Sequence, residues 1–264
     1  MIASNIFHLL NSRSNELTHN DFCKWIKKEN SQIECLKESF SYTPAMLYFI
    51  LGFRDILNHL KYKNPINEME LAINQHCIED EHHWMWYLQD LKTLGVNQQT
   101  WGNDWQDLIV NLWNDENRPT RDLVYLCIQL INQYNDVASR FVILECLEST
   151  FGVFMNTLKS KYQDSEVYKK LKFFGKNHQD HEMNHTLGSW IEDEDADTDL
   201  NESEILLNSL SLTDDDQKRL SQIINVLFDQ FELVFKTWLN QKDIYLSKMN
   251  YQLDNNKLVS LEIN

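Results

Sequence analysis

Breakers of regular structure are scarce in this chain. Six glycines and three prolines punctuate 264 residues, and apolar residues recur every three or four positions almost throughout. Period-two alternation is nowhere sustained, so the pattern predicts an all-α architecture. The length admits one or two domains. The continuity of the helical pattern favours a single helical domain over 1–264, interrupted at residues 191–204 by IEDEDADTDLNESE. That stretch is acidic and poor in apolar residues, reads as a solvated loop before the last long helix, and lacks EF-hand spacing.

Local signals place the helices. Asn20 is a candidate cap before DFCKWIKK, in a region to about Phe40 that forms one or two amphipathic helices. Thr43-Pro44 opens the apolar run AMLYFILGFRDILNHL, with Pro44 suited to a first helical turn. Asn64-Pro65 ends it, and the next helix is predicted from about Asn67 to Leu94, stopped by Gly95. Gln98–Asn117 is rich in tryptophan (Trp101, Trp105, Trp113), read as packing residues. Helices over about 120–134 and 137–161 follow, the second apolar nearly all round and therefore central. Another is predicted from Asp164-Ser165, burying Val167, Leu171 and Phe174. The last spans about Thr213–Leu246, capped by Thr213 with Asp214–Asp216 against its dipole, and closes the bundle with Ile223, Ile224, Leu227, Phe231, Val234 and Trp238.

Charge narrows the partners. A net charge of −16 disfavours nucleic acid and anionic membrane surfaces, since phosphate binding needs clustered Lys and Arg. The longest clean apolar run, Ala45–Phe53, is well short of a bilayer span, and MIASNIFHLL lacks the basic start of a signal peptide. A soluble, cytosolic protein is the expectation. Cys23, Cys35, Cys77, Cys127 and Cys146 are odd in number, form no C-x-x-C pair and sit mostly among apolar residues, which fits reduced core thiols.

The chemistry concentrates in two similar stretches. In GKNHQDHEMNHTLGSW, His178, Glu182 and His185 stand four and three apart, within an arc of roughly 60° on a helix. Upstream, NQHCIEDEHHWMWYLQDL repeats His, carboxylate, His as His76, Asp80 and His83. Imidazole with carboxylate suits iron, zinc or manganese. On the earlier helix the apolar face through Met69, Ile73, Trp84, Tyr87 and Leu91 contains Asp80, with His76 and His83 alongside. Glu79 and His82 fall outside it. The central helix carries Glu148 inside its apolar face and Glu145 at the edge. A buried carboxylate is costly unless paired or metal-bound, which makes Glu148 a candidate bridging ligand with Glu145 in reserve.

Together, the central-helix glutamate, the acid and His three apart, and the later His-x3-acid-x2-His resemble the heme-oxygenase-like diiron oxidases and oxygenases over roughly residues 40–190. The resemblance implies a heme-oxygenase-like helical bundle whose ligands are Asp80, His83, Glu148, His178, Glu182 and His185, with two Fe(II) ions and O₂ as co-substrate. Asp80 stands where the family often has Glu, and His76 is an additional candidate. A ferritin-like four-helix bundle is the alternative fold; it would use Glu79-x-x-His82, Glu148 and Glu182-x-x-His185, but lacks a fourth carboxylate on the helix after Pro44 and leaves His178 idle. True heme oxygenase needs a single N-terminal axial His, for which His8 and His19 are available, and would leave the buried carboxylates unexplained.

The activity the resemblance implies is oxidation of a small amine, amino acid or fatty acid by N-oxygenation, desaturation or carbon–carbon cleavage. It also allows a homodimer and an external electron donor. Arg140 and Arg54 are candidate partners for a substrate carboxylate. The alternative is a metal-free helical protein that binds a ligand or partner.

Overall fold

In the computed structural model, residues 2–28, 39–96, 104–176, 178 and 202–261 are described, the side chains of Glu202, Glu204 and 246–261 excepted. Helices α1 (Ile2–Thr18) and α2 (Asp21–Lys28) meet at Asn20, whose Oδ1 accepts the Cys23 N–H at 2.8 Å. Helix α3 (Thr43–Leu60) carries Pro44 in its first turn. Helix α4 (Glu68–Asp80) is capped by Asn67, which accepts the Glu70 N–H at 2.9 Å.

The single helix expected from Asn67 to Leu94 is broken at Glu81-His82, and α5 (His83–Thr93) resumes beyond. An ion pair between Glu81 and Lys61, just past the end of α3, anchors this turn. Helix α5 stops as the glycine implies. Gly95 has φ 71°, its N–H reaches the Lys92 carbonyl at 3.1 Å, and the Val96 N–H reaches the Leu91 carbonyl at 2.8 Å. These two bonds define a Schellman cap, which needs a residue tolerant of positive φ.

Helices α6 (Trp105–Trp113), α7 (Arg118–Gln133), α8 (Val137–Tyr162), α9 (Glu202–Asn208) and α10 (Asp214–Leu261) complete the described elements, and no strand occurs among the described residues. Helix α8 is the hub, contacting α1, α2, α4, α7 and α10. Its Phe141, Val142, Ile143 and Leu144 are each fully buried on successive faces. Fully burying such a side chain stabilises by roughly 1.5–3 kcal/mol, so α8 is apolar all round because it is surrounded. By length and composition it could cross a membrane, yet 67% of its most apolar window is buried inside the bundle.

Helix α10 closes the bundle against α1, α7 and α8, burying the six apolar residues expected of it. Thr213 caps it through the Asp216 N–H (3.2 Å), and Asp216 Oδ2 accepts the Thr213 N–H (2.8 Å). The helix runs well past Leu246.

Several expectations change. Trp105 and Trp113 are 65% and 59% exposed, because α6 buries no residue and rests lightly on α3 and on Arg121 of α7. Trp101 lies outside the described residues, as does 191–201. Residues 202–204 are not loop: they begin α9, with Ser203 buried where the helix packs against α1. No continuous helix runs from Asp164. A single 3₁₀ turn, Tyr168–Lys170, is followed by an irregular turn in which Leu171 and Phe174 are buried while Val167 is exposed. Cys23, Cys77, Cys127 and Cys146 are buried free thiols, and burial pushes Cys77 and Cys127 up to about 12, which leaves them unreactive. Cys35 is outside the described residues.

Candidate metal centre

The break between α4 and α5 turns the end of one helix and the start of the next toward α8. His76 and Asp80, four residues apart on α4, are buried on one face, and His76 Nε2 lies 3.0 Å from Asp80 Oδ2 and 3.1 Å from Glu148 Oε1 on α8. Ligand atoms of these three side chains all lie within 4.8 Å of one another. The other oxygen of Asp80, Oδ1, lies 3.6 Å from His83 Nδ1 at the start of α5. His83 Nδ1 in turn lies 3.0 Å from His178 Nε2. Asp80 therefore faces His76, with Glu148 beyond it, through one oxygen and His83 through the other, and His178 joins the cluster through His83.

His178 is held as a ligand should be. Its Nδ1 is 2.7 Å from the Phe173 carbonyl, which can only accept, so the ring proton sits on Nδ1 and Nε2 presents its lone pair to the cluster. Phe151 and Phe173 pack on the ring at 4.9 and 5.1 Å between centroids, and Trp86 stacks on His83 at 4.5 Å. Metal–ligand bonds of ~2.1 Å at right angles separate neighbouring ligand atoms by ~3 Å. The separations of 3.0, 3.1 and 3.0 Å found here fit that requirement, and the mixed imidazole and carboxylate donors fit iron. Burial works against a charged His76, but the carboxylates of Glu148 and Asp80 overcome it and hold the imidazole well above its ordinary range. A cation between two carboxylates is thus favoured at this point, whether proton or metal.

The second element of the site was not singled out in the sequence. Asp90, two turns along α5 from His83 and 1% exposed, accepts the backbone N–H groups of Lys172 (2.7 Å), Phe173 (2.8 Å) and Phe174 (2.9 Å). Burial nevertheless raises its pKa, against these three bonds. The carboxylate bends the chain after the 3₁₀ turn, which is why the predicted helix does not run through residues 171–175, with Lys176 and His178 helical again, and it ties the turn that delivers His178 to the helix that carries His83. Gly175 permits the bend, since a Cβ there would collide with the Leu171 carbonyl. Tyr87, on the same helix, fixes it to the start of α3 by donating to the Thr43 carbonyl at 2.6 Å. The signal was present: Asp90 lies on the Tyr87–Leu91 apolar face, where a lone carboxylate needs partners.

Asp90→Ala leaves three backbone donors without acceptors in a buried place. At ~1–3 kcal/mol for each group, partly relieved by relaxation, the expected loss is roughly 3–5 kcal/mol in urea unfolding. Asp90→Asn, which keeps one acceptor oxygen, is expected to lose about half as much. Equal stability of Asp90→Ala and the parent would contradict this role.

The remaining sequence candidates separate. Glu148 reaches the cluster. Glu145 points elsewhere, accepting the Ser203 hydroxyl at 3.0 Å, and burial pushes it up to about 7. Glu79 accepts from Gln75 at 2.7 Å, and His82 is exposed beside Glu81. His76, an additional candidate in the sequence, is central. Glu182 and His185 lie outside the described residues. Arg140 does not await a substrate: it donates to the Leu60 carbonyl at 2.7 Å and stacks over Tyr62 at 4.4 Å. Arg54 is exposed. Beside the cluster lies a cavity bordered by Asp80, His83, Glu148 and His178 and otherwise mainly by phenylalanines of α3, α8 and α10.

No protein-family model matches the chain, and no curated protein matches it. Among solved structures the chain is similar to a TenA homolog from Pseudomonas syringae pv. tomato, with a TM-score of 0.56. The bundle is TenA-like. The likeness covers 91% of this chain and 93% of the other at 11% identity, so it bears on the fold and on no residue. The expectation of a heme-oxygenase-like bundle rather than a ferritin-like one holds.

Proposed function

We propose that the protein is a non-heme diiron oxidase or oxygenase that uses dioxygen to oxidise a small organic molecule. The observation that carries the reading is the buried cluster of His76, Asp80 and Glu148, with the other oxygen of Asp80 toward His83 and His178 against His83. His76, Asp80, Glu148, His83 and His178 would hold the ions, and Glu182 and His185, on the resemblance, would complete the set. Iron, when bound, would supply the dioxygen chemistry. The chain's own part is to hold the donors with their lone pairs aimed inward, through the Phe173 carbonyl and Asp90, and to exclude water with the aromatic wall. The resemblance implies an amine, amino acid or fatty acid as substrate, with an external electron donor.

Protein loaded anaerobically with ferrous iron and transferred to air-saturated buffer in an oxygen electrode tests the reading. Uptake in proportion to bound iron, faster than free ferrous iron at the same concentration, is expected. Uptake no faster than free iron contradicts it.

One observation favours a second reading, a metal-free ligand-binding protein. His76 lies between Asp80 and Glu148, whose carboxylates raise its pKa against burial, so a protonated imidazole would serve there as their counter-charge without a metal. Metal analysis of protein produced in iron-supplemented medium separates the two: bound iron supports the first, its absence the second.

A further inference from the structure

Helix α8 buries two threonines to the same degree, Thr150 and Thr157, each 3% exposed. Thr157 does what a helical threonine does in an apolar place, donating its hydroxyl to the Val153 carbonyl one turn back at 2.8 Å. Thr150 does not: its Oγ1 is buried without a hydrogen-bond partner, and the residue borders the cavity beside the ligand cluster. Two more donors are in the same state. Trp84 Nε1 and Trp238 Nε1 are buried and without partners, and both residues border that cavity. An indole N–H can only donate. Thr150, Trp84 and Trp238 thus bring three donors to the cavity wall that an acceptor would satisfy.

Charge limits what the acceptor can be. Among the described residues no Lys or Arg borders the cavity, while Asp80 and Glu148 do. The segment that follows His178, residues 179–201, contains no Lys or Arg either. An anion buried here would meet two carboxylates and, among the described wall residues, no Lys or Arg, which burial makes unfavourable. The rest of the wall is aromatic and aliphatic, with Phe151, Phe154 and Leu147 on α8 alone.

We propose that this cavity binds an uncharged, mainly aromatic or hydrocarbon molecule bearing a hydrogen-bond acceptor such as a carbonyl, and that Thr150 is the residue that reads the acceptor. An uncharged ligand sets aside the amino acid and the fatty acid among the substrates the resemblance implies; the diiron reading bears on what then happens to the molecule, and binding itself does not depend on it.

The test uses the full-length, metal-free protein and three probes of nearly equal shape: 4-phenyl-2-butanone, 3-phenylpropionate and butylbenzene. Binding is followed by tryptophan fluorescence, since Trp84 and Trp238 border the cavity. The ketone is expected to bind saturably, and the carboxylate at least about tenfold more weakly. Thr150→Val is expected to weaken the ketone about tenfold while leaving butylbenzene unchanged. Leu147→Trp, which fills the cavity, is expected to weaken both, with circular dichroism reporting whether each variant is folded. The proposal is overturned if the carboxylate binds as tightly as the ketone, if Thr150→Val weakens ketone and butylbenzene alike, or if the ketone shows no saturation by about 1 mM. A separate ferrous titration keeps the readings apart. Iron bound without ketone binding sinks this proposal alone, and ketone bound without iron sinks the diiron reading alone.

Discussion

Asp80→Ala is expected to abolish binding of both ferrous ions, not one. The reason is geometric: Oδ2 lies against His76, beside Glu148, and Oδ1 is turned toward His83, on which His178 rests, so a single truncation withdraws a donor from both sides of the cluster. Loss of a shared ligand is expected to lower affinity by about a hundredfold or more at each position. Folding is expected to survive. His76 keeps Glu148 at 3.1 Å as its counter-charge, so the variant avoids the ~3–5 kcal/mol penalty of a buried charge left wholly unpaired. His82→Ala, in the exposed turn between α4 and α5, is the matched control and is expected to bind iron as the parent does. Retention of one tight iron by Asp80→Ala would mean that the carboxylate serves only one of the two groups.

Glu148→Ala and Glu145→Ala are expected to fail in different ways although they lie one turn apart on α8. Glu148 faces His76, and its removal is expected to lower iron binding at least tenfold while the helical content stays close to that of the parent. Two opposing terms of a few kcal/mol, a cavity opened and a desolvated carboxylate removed, keep the net change in stability small. Glu145 faces Ser203 instead, tying α8 to α9. Its removal is expected to leave iron binding intact and to cost about 1–2 kcal/mol of stability. Ferrous titration and thermal unfolding of both variants check the pair, and loss of iron from Glu145→Ala with none from Glu148→Ala would reverse the assignment.

Much of the bundle could be read from local signals, because helix periodicity, caps and stops are properties of neighbours in sequence. Asn20, Pro44, Asn67, Gly95 and Thr213 act where the sequence analysis put them. The failures have a common cause, which is contact between distant parts of the chain. The helix expected over Leu171–Phe174 loses to Asp90, more than eighty residues earlier, which takes three of its backbone donors. The break at Glu81-His82 is anchored by Lys61 from another element. Trp105 and Trp113 carry no mark in sequence that distinguishes a covered helix from one lying on the surface.

The same division holds at the candidate centre. A helical wheel brings out Asp80, His83 and Glu148, since each is a polar group on an apolar face. It underrates His76, whose importance comes from reaching Asp80 and Glu148 at once, across two helices. Thr150 carries no mark in the sequence, and Asp90, a carboxylate on an apolar face, signals a need for partners without saying which. Their roles follow from what surrounds them.

Anaerobic titration of the purified protein with ferrous iron tests the central claim most directly. The account expects saturation at about two ions per chain, with the first bound no more than about tenfold more tightly than the second, since the two donor groups share Asp80. Saturation with no iron retained, or uptake that is the same in the parent and in a variant carrying His76→Ala together with His178→Ala, would contradict it.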